Sequence, residues 1–152
     1  MNMHKTIYHN ELIGIISLLS ILQYHKEMSL GKALLIFPFF GHKGTLGILK
    51  RKNIKIRSLE ELIVKYPSSC SNFNERFQSL SPVTINSIIL LKRMGLINLK
   101  DGILSLNKQN IFELENKSFG SRAKDIVQAS KKLAEILMED TSNLYLQLRV
   151  EI

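Results

Sequence analysis

The chain has 152 residues, of which 45% are hydrophobic and 22% are charged, and these proportions exclude a disordered or fibrous protein. A single cysteine, Cys70, excludes an internal disulfide, so we expect a reducing cytoplasm rather than a secreted, cross-linked scaffold. The apolar run at residues 12–22 is about half as long as a membrane-spanning helix, so no membrane association is predicted.

The positive charge is concentrated in the first third of the chain. The formal net charge is +8, and residues 1–57 hold nine Lys/Arg and two Glu, which leaves only +1 for residues 58–152. The densest basic run, residues 50–57, contains Lys50, Arg51, Lys52, Lys55 and Arg57. Such a run can neutralise DNA phosphates without reading sequence, can dock on an acidic partner, or can simply be solvated. We predict the first, a DNA-backbone contact, and leave the other two open.

The N-terminal part is predicted to be helical. Asn10 can cap a helix over residues 11–26, and apolar side chains surround nearly all of that helix, which should therefore lie at the centre of a core or an interface. Residues 30–40 follow as a second helix or an extended segment that Pro38 kinks or ends.

Two further helices are predicted before residue 81. Ser58 and Glu61 form a capping box, which predicts a helix over residues 59–66. Residues 72–80 are predicted to form a short helix that leads into a turn.

Residues 81–107 have the pattern of the second half of a winged helix-turn-helix. Ser81 can cap a helix that begins at Pro82 and ends near Met94, where Gly95 supplies a left-handed residue. The segment 100–102, Lys-Asp-Gly, is a turn signal between two short apolar strands and predicts a β-hairpin, the wing.

The outward face of that helix decides what it contacts. Thr84, Ser87, Ile88, Leu91 and Met94 share the side that should pack inward. The opposite side holds Ile85, Asn86, Ile89, Lys92 and Arg93. Two isoleucines fit poorly on a helix that reads base edges. They fit a partner interface or a core position within the chain, and we predict this face as a partner interface.

The C-terminal part is predicted to contain one helix and one strand. An amphipathic helix is expected over residues 122–138, with Ile126, Ala129, Leu133 and Leu137 on its apolar side. Residues 144–152 alternate between apolar and polar, which predicts a strand that presents Tyr145 and Arg149 on one face. That strand could extend the wing or add to the sheet of a partner, so both residues join the predicted interface.

Together these elements predict a mostly helical α+β fold. We expect a single domain over residues 1–152, with a basic helical part at 1–57, a winged-helix part at 58–110, and a C-terminal helix and short strand at 120–152. Catalytic chemistry is not indicated, because His4, His9, His25 and His42 have no partners at metal-ligand spacing and Cys70 has no neighbouring base in the sequence. No cofactor and no metal are expected.

Three short elements carry a resemblance to a known family. They are FPFFGHK at 37–43, NFNERF at 72–77 and KRMGLI at 92–97. With their surroundings, they make most of the chain similar to the middle component of ABC-three-component conflict systems, which include Lamassu-type antiphage systems. The resemblance implies a small non-enzymatic subunit placed between an SMC/Rad50-like ABC ATPase and an effector, commonly a nuclease.

Two functions from different classes are therefore carried forward. The first is an adaptor that bridges the ATPase and the effector nuclease and helps to restrain or activate the effector. In this function the complex would contact DNA at the phosphate backbone. The second is a free-standing winged-helix transcriptional regulator, which the net charge and the predicted fold would also suit.

Overall fold

A computed structural model describes the backbone at residues 3–108, 113–114 and 117–152, and the side chains at 10–108, 113–114 and 118–152. The last two residues of the predicted winged-helix part and the side chains of His4 and His9 lie outside these ranges. The described helices are α1 Met3–Leu22, α2 Leu30–Ala33, α3 Ile36–Phe40, α4 Lys43–Leu49, α5 Leu59–Lys65, α6 Phe73–Arg93, α7 Ser121–Ile136 and α8 Thr141–Leu148, with 3-10 turns at Pro67–Ser69 and Lys117–Phe119. The described strands are β1 Met28–Ser29, β2 Ile97–Lys100 and β3 Ile103–Leu106. The predicted α+β, mostly helical class is confirmed.

Helix α1 is the centre of the core, as its apolar sequence predicts. It packs against both α6 and α7, and its side chains from Ile13 to Leu22 are almost all buried. Two of these buried side chains, Ser17 and Ser20, are polar. Their hydroxyls donate hydrogen bonds to the carbonyls four residues earlier, at 2.7 and 2.6 Å, so their burial leaves no unpaired hydroxyl. The helix begins at Met3, so the predicted start after a cap at Asn10 is wrong.

The predicted hairpin is confirmed, and a third strand joins it. Asp101 and Gly102 both have positive φ, 52° and 74°, which is the backbone that a two-residue hairpin turn requires. Gly95 also has a positive φ of 73° and follows α6, as predicted. Strand β1 pairs with β3 in antiparallel orientation, so the order in the sheet is β1-β3-β2.

The predicted turn before Ser81 is wrong, because α6 runs without a break from Phe73 to Arg93 with Pro82 inside it. The Ser81 hydroxyl donates back to the carbonyl of Phe77 at 2.6 Å instead of capping a new helix. Pro82 supplies no N–H to the carbonyl four residues earlier, a loss that costs about 3 kcal/mol in a helix interior. Burial of one side of the helix on both sides of the proline outweighs this cost; the buried apolar residues are Phe73, Phe77, Ile88 and Leu91, and Thr84 and Ser87 are buried beside them.

The predicted C-terminal strand is also wrong, because its residues form α8. The Asp140 carboxylate caps this helix by accepting the N–H of Asn143 at 3.3 Å. Leu144 and Leu148 are buried, and their spacing of four residues suits a helix as well as a strand. Leu146, which a strand would place on the same face, is 76% exposed.

Segment 30–40 forms two short helices, α2 and α3. Pro38 neither kinks nor ends α3, because it lies in the first turn, where no intrahelical N–H is needed. Helix α4 was not predicted; the His42 ring nitrogen Nδ1 caps it by accepting the N–H of Thr45 at 3.2 Å. In α5 the Ser58 cap is confirmed, and Glu61 accepts the N–H of Arg57 at 2.8 Å.

Helix α7 matches its prediction and completes the core. Ile126, Ala129, Leu133 and Leu137 are fully buried. The His25 ring holds α7 to the end of α1, because its Nε2–H donates to the carbonyl of Ala134 at 2.8 Å.

Candidate functional site

The outward side of α6 carries exposed apolar and basic side chains. We call Ile85, Asn86, Ile89, Lys92 and Arg93 the α6 face, and all five are exposed, as predicted. Ile85 and Ile89 retain 46% and 44% of their exposure, so neither is a core residue of the described part of the chain. Thr84, Ser87, Ile88 and Leu91 are buried, whereas Met94 is 50% exposed, so its predicted inward position is wrong.

The C-terminal half of the α6 face adjoins the hairpin across a groove. A cavity of about 470 Å³ is lined by Ile88, Ile89, Lys92, Arg93 and Leu99. A second hollow of about 550 Å³ continues along β2, where Lys92, Ile97, Asn98, Leu99 and Lys100 contribute to its lining. Helix α6 and strand β2 therefore present one continuous surface of apolar and basic groups.

The basic run at 50–57 lies against α7. The Lys50 ammonium forms an ion pair with Asp125 at 3.3 Å, and Gln128 donates to the Lys50 carbonyl at 2.7 Å. The Lys132 ammonium donates to the Arg51 carbonyl. The side chains of Arg51, Lys52, Lys55 and Arg57 are exposed. One of the five predicted cations is thus partly neutralised, and four face solvent.

Tyr145 and Arg149 are not brought to the α6 face. The Tyr145 hydroxyl donates to the carbonyl of Gly31 at 2.6 Å, and its ring meets that of Phe77 edge-on at 5.8 Å. Burial raises the pKa of Tyr145, in keeping with a packed phenol. Arg149 is exposed just after α8. The strand on which their predicted interface rested does not exist.

Sequence reasoning missed an apolar groove beside Tyr145. It has a volume of about 670 Å³ and lies between α2, α6 and α8; Leu30, Leu34, Phe77, Tyr145, Leu146 and Ile152 supply its apolar lining. The signal that could have found it is the helical spacing of Leu144 and Leu148, which leaves Leu146 facing outward.

Two of the three sequence elements that carry the family resemblance, residues 37–43 and 72–77, contact each other through Arg76. Its guanidinium donates from Nε to the carbonyl of Pro38 at 3.2 Å, from Nη1 to Ser71 at 2.8 Å and from Nη2 to Ser69 at 2.8 Å. The Phe73 ring packs on Phe39 at 4.7 Å between centroids and lies 5.2 Å from the guanidinium. These elements therefore hold α3 to α6 and act structurally.

Cys70 and His42 lie near this guanidinium, and burial shifts the pKa of each toward its neutral form. Burial raises the pKa of the Cys70 thiol to about 11, although the charge of Arg76 acts in the opposite direction. Burial, with a smaller effect of Arg76, lowers the pKa of His42, which favours the neutral ring that caps α4. At neutral pH the thiol stays protonated, and the thiol form is a poor nucleophile.

The described residues contain neither a metal-binding cluster nor a membrane-spanning helix. Their His, Cys, Asp and Glu side chains form no group of three that could hold a metal ion. No helix in the same part of the chain is long and apolar enough to cross a membrane.

A family model gives the comparison with known proteins. The model described as ABC-three component (ABC-3C) system Middle Component 3 matches residues 18–152, a span that includes all three elements at 37–43, 72–77 and 92–97. No curated protein and no solved structure shows significant similarity to the chain.

Proposed function

This chain belongs to the Middle Component 3 family of ABC-three-component systems, and from that premise we propose that it is a non-enzymatic adaptor. It bridges an SMC/Rad50-like ABC ATPase and an effector nuclease in a Lamassu-type antiphage complex, and it helps to restrain or activate the effector. Family membership makes the chain one component of a multicomponent conflict system, and the α6 face supplies a surface on which another component can dock.

The exposure of Ile85 and Ile89 is the observation that carries this proposal. Both lie on one side of a helix whose other side is buried, and Lys92 and Arg93 follow them. Covering the exposed part of each isoleucine would contribute about 1 kcal/mol to association. Apolar anchors beside charged groups are the composition of a protein interface rather than of a surface that reads DNA bases.

We expect the chain to co-purify with the ATPase and the nuclease encoded next to it, and Ile85→Glu/Ile89→Glu to weaken capture of one of them at least tenfold. The reason is that burying two carboxylates in an apolar contact is unfavourable. Pull-down from co-expressing cells, with quantified band ratios, measures this effect.

The matched control is Val64→Glu/Met138→Glu, because these side chains are 80% and 70% exposed, Val64 on α5 and Met138 in the turn after α7. This variant should retain both partners. A wild-type chain that stays alone beside both neighbours, or equal losses in the two variants, would contradict the adaptor.

A second candidate is a free-standing DNA-binding regulator, which the exposed Arg51, Lys52, Lys55 and Arg57 favour. If the run contacts duplex phosphates, a plot of the logarithm of the binding constant against the logarithm of salt concentration has a negative slope. This slope should become shallower by about 3 in Arg51→Ala/Lys52→Ala/Lys55→Ala, because three phosphate contacts are lost. Fluorescence anisotropy between 50 and about 300 mM salt measures it. Such backbone contact suits the adaptor as well as the regulator. Sequence-selective binding that Asn86→Ala/Arg93→Ala abolishes would favour the regulator over the adaptor.

A further inference from the structure

The outer edge of β2 has no strand partner among the described residues, because the order in the sheet is β1-β3-β2. Asn107 donates to the carbonyl of Leu96 at 2.9 Å, and the register continues with Asn98 opposite Ser105 and Lys100 opposite Ile103. Since hydrogen-bonded and non-hydrogen-bonded pairs alternate in an antiparallel ladder, Asn98 and Lys100 pair with β3. The backbone N–H and C=O groups of Ile97 and Leu99 therefore point away from the sheet.

We propose that this edge accepts an extended segment of a partner protein as a fourth strand, and that the segment alternates apolar and acidic residues. The inference rests on the proposed function, since it names the kind of contact that an adaptor makes beside the α6 face. Strand addition satisfies the outward backbone groups of Ile97 and Leu99, and side-chain pockets on either side give it specificity.

The groove supplies an apolar surface for one side of such a segment. Leu99 is half-buried and faces α6, where it lines the same cavity as Ile88 and Ile89. Every second side chain of an added strand points toward one face of the sheet, so alternate residues of the segment reach this cavity. Apolar residues at those positions would cover the exposed part of Ile89.

The charge around the edge selects acidic residues. Lys92 lines both hollows, and Lys100 lies on the face of β2 opposite Leu99, toward which the alternate side chains of an added strand point. No carboxylate is among the described residues that line the two hollows. Complementary charge therefore comes from Glu or Asp in the segment. Nucleic acid fits less well, because phosphates accept hydrogen bonds and cannot donate to the outward carbonyls of Ile97 and Leu99.

The first test uses the full-length chain, labelled with ¹⁵N, and a capped seven-residue peptide of alternating valine and glutamate. We expect the amide signals of Ile97 and Leu99 to shift on titration, and their hydrogen exchange to slow at least tenfold at saturation. A valine–lysine peptide of equal length should cause neither change. Absence of these effects with the glutamate peptide would overturn the proposal.

Variants of the chain distinguish peptide binding at the β2 edge from non-specific attraction by positive charge. Lys92→Glu/Lys100→Glu should weaken peptide binding at least tenfold, whereas Arg51→Glu/Lys52→Glu, with the same change of charge elsewhere, should stay within twofold. Leu99→Pro removes one outward N–H and leaves the ladder to β3 intact, so it should also abolish binding. Equal affinity in all three variants would contradict the edge as the site.

The two proposals fail separately. If the neighbouring gene products co-purify with the chain but the peptide leaves Ile97 and Leu99 unchanged, strand addition is wrong and the adaptor stands. If the peptide binds as described and neither neighbour co-purifies, the edge stands and the adaptor falls. If the peptide does not bind and a 20-base-pair DNA duplex binds in a way that Lys92→Glu/Lys100→Glu abolishes, strand addition is overturned in favour of a nucleic-acid surface.

Discussion

Replacing Arg76 by methionine is expected to lower the free energy of unfolding by about 3 kcal/mol. The guanidinium donates to three backbone carbonyls, at Pro38, Ser69 and Ser71, and hydrogen bonds that involve a charged group contribute about 1.5–3 kcal/mol each before its desolvation is counted. Methionine fills the volume of the stem but leaves these carbonyls without that donor. Urea unfolding followed by circular dichroism gives the difference.

Two controls identify the cause of that loss. Arg76→Lys keeps a positive charge but replaces a planar fork of donors by a single ammonium, so it should recover less than half of the stability. Arg51→Met removes an exposed guanidinium and should change stability by less than about 0.5 kcal/mol. Full rescue by lysine would mean that charge alone, rather than the forked geometry, holds α3 to α6.

Replacing Gly14 by alanine is expected to destabilise the chain by about 2 kcal/mol, although alanine favours a helix by about 1 kcal/mol over glycine. A Cβ at this position would lie 2.4 Å from the Ser87 hydroxyl oxygen and 3.3 Å from its Cβ. Ser87 is buried, and its hydroxyl hydrogen-bonds to the carbonyls of Val83 at 2.8 Å and Glu11 at 3.2 Å. Helices α1 and α6 would have to separate, or the hydroxyl would have to leave its acceptors. Thermal and urea unfolding measure the cost.

The contact with Ser87 can be isolated by a double-mutant cycle. In Gly14→Ala/Ser87→Ala the nearest atom is gone, so the combined loss should fall short of the sum of the single losses by about 1 kcal/mol. Gly47→Ala, in α4, is the matched control, because nothing lies within 4 Å of its added Cβ, and it should leave stability equal or slightly higher. Additive losses in the cycle would contradict the close approach of α1 and α6.

Elements with a local signal were predicted well. Helix α7 has an apolar stripe and the hairpin has a turn at Asp101-Gly102 that specifies its backbone, and both are confirmed. The α6 face was predicted from helical spacing alone, and its five residues are exposed as expected. Whether they bind a partner stays a prediction, because exposure is a property of this chain and binding depends on another.

Elements in which local signals compete were predicted wrongly. Ser81-Pro82 has the sequence of a helix start, and only the burial of Phe77 and Ile88 on one stripe reveals that α6 continues through it. In α8 the alternation of residues 144–152 matched a strand, whereas the Asp140 cap matched a helix, and the packing of Leu144 and Leu148 decides between them. Helix α4 escaped because its two glycines lower helix propensity and its cap is a histidine. Tertiary contacts determine the structure of all three segments, and the residues next to each segment in the sequence do not reveal those contacts.

The uninterrupted course of α6 has a mechanical consequence. With 21 residues the helix is about 31 Å long, at about 1.5 Å per residue, and it joins the Arg76 anchor at one end to the Ile89 surface at the other. Pro82 removes one rung of its hydrogen-bond ladder between those ends, so this is the point where flexing costs least. The C-terminal half also packs on α1, where the Ser87 hydroxyl donates to the carbonyl of Glu11, so a load on the Ile89 surface passes to α1 as well as to the Arg76 anchor.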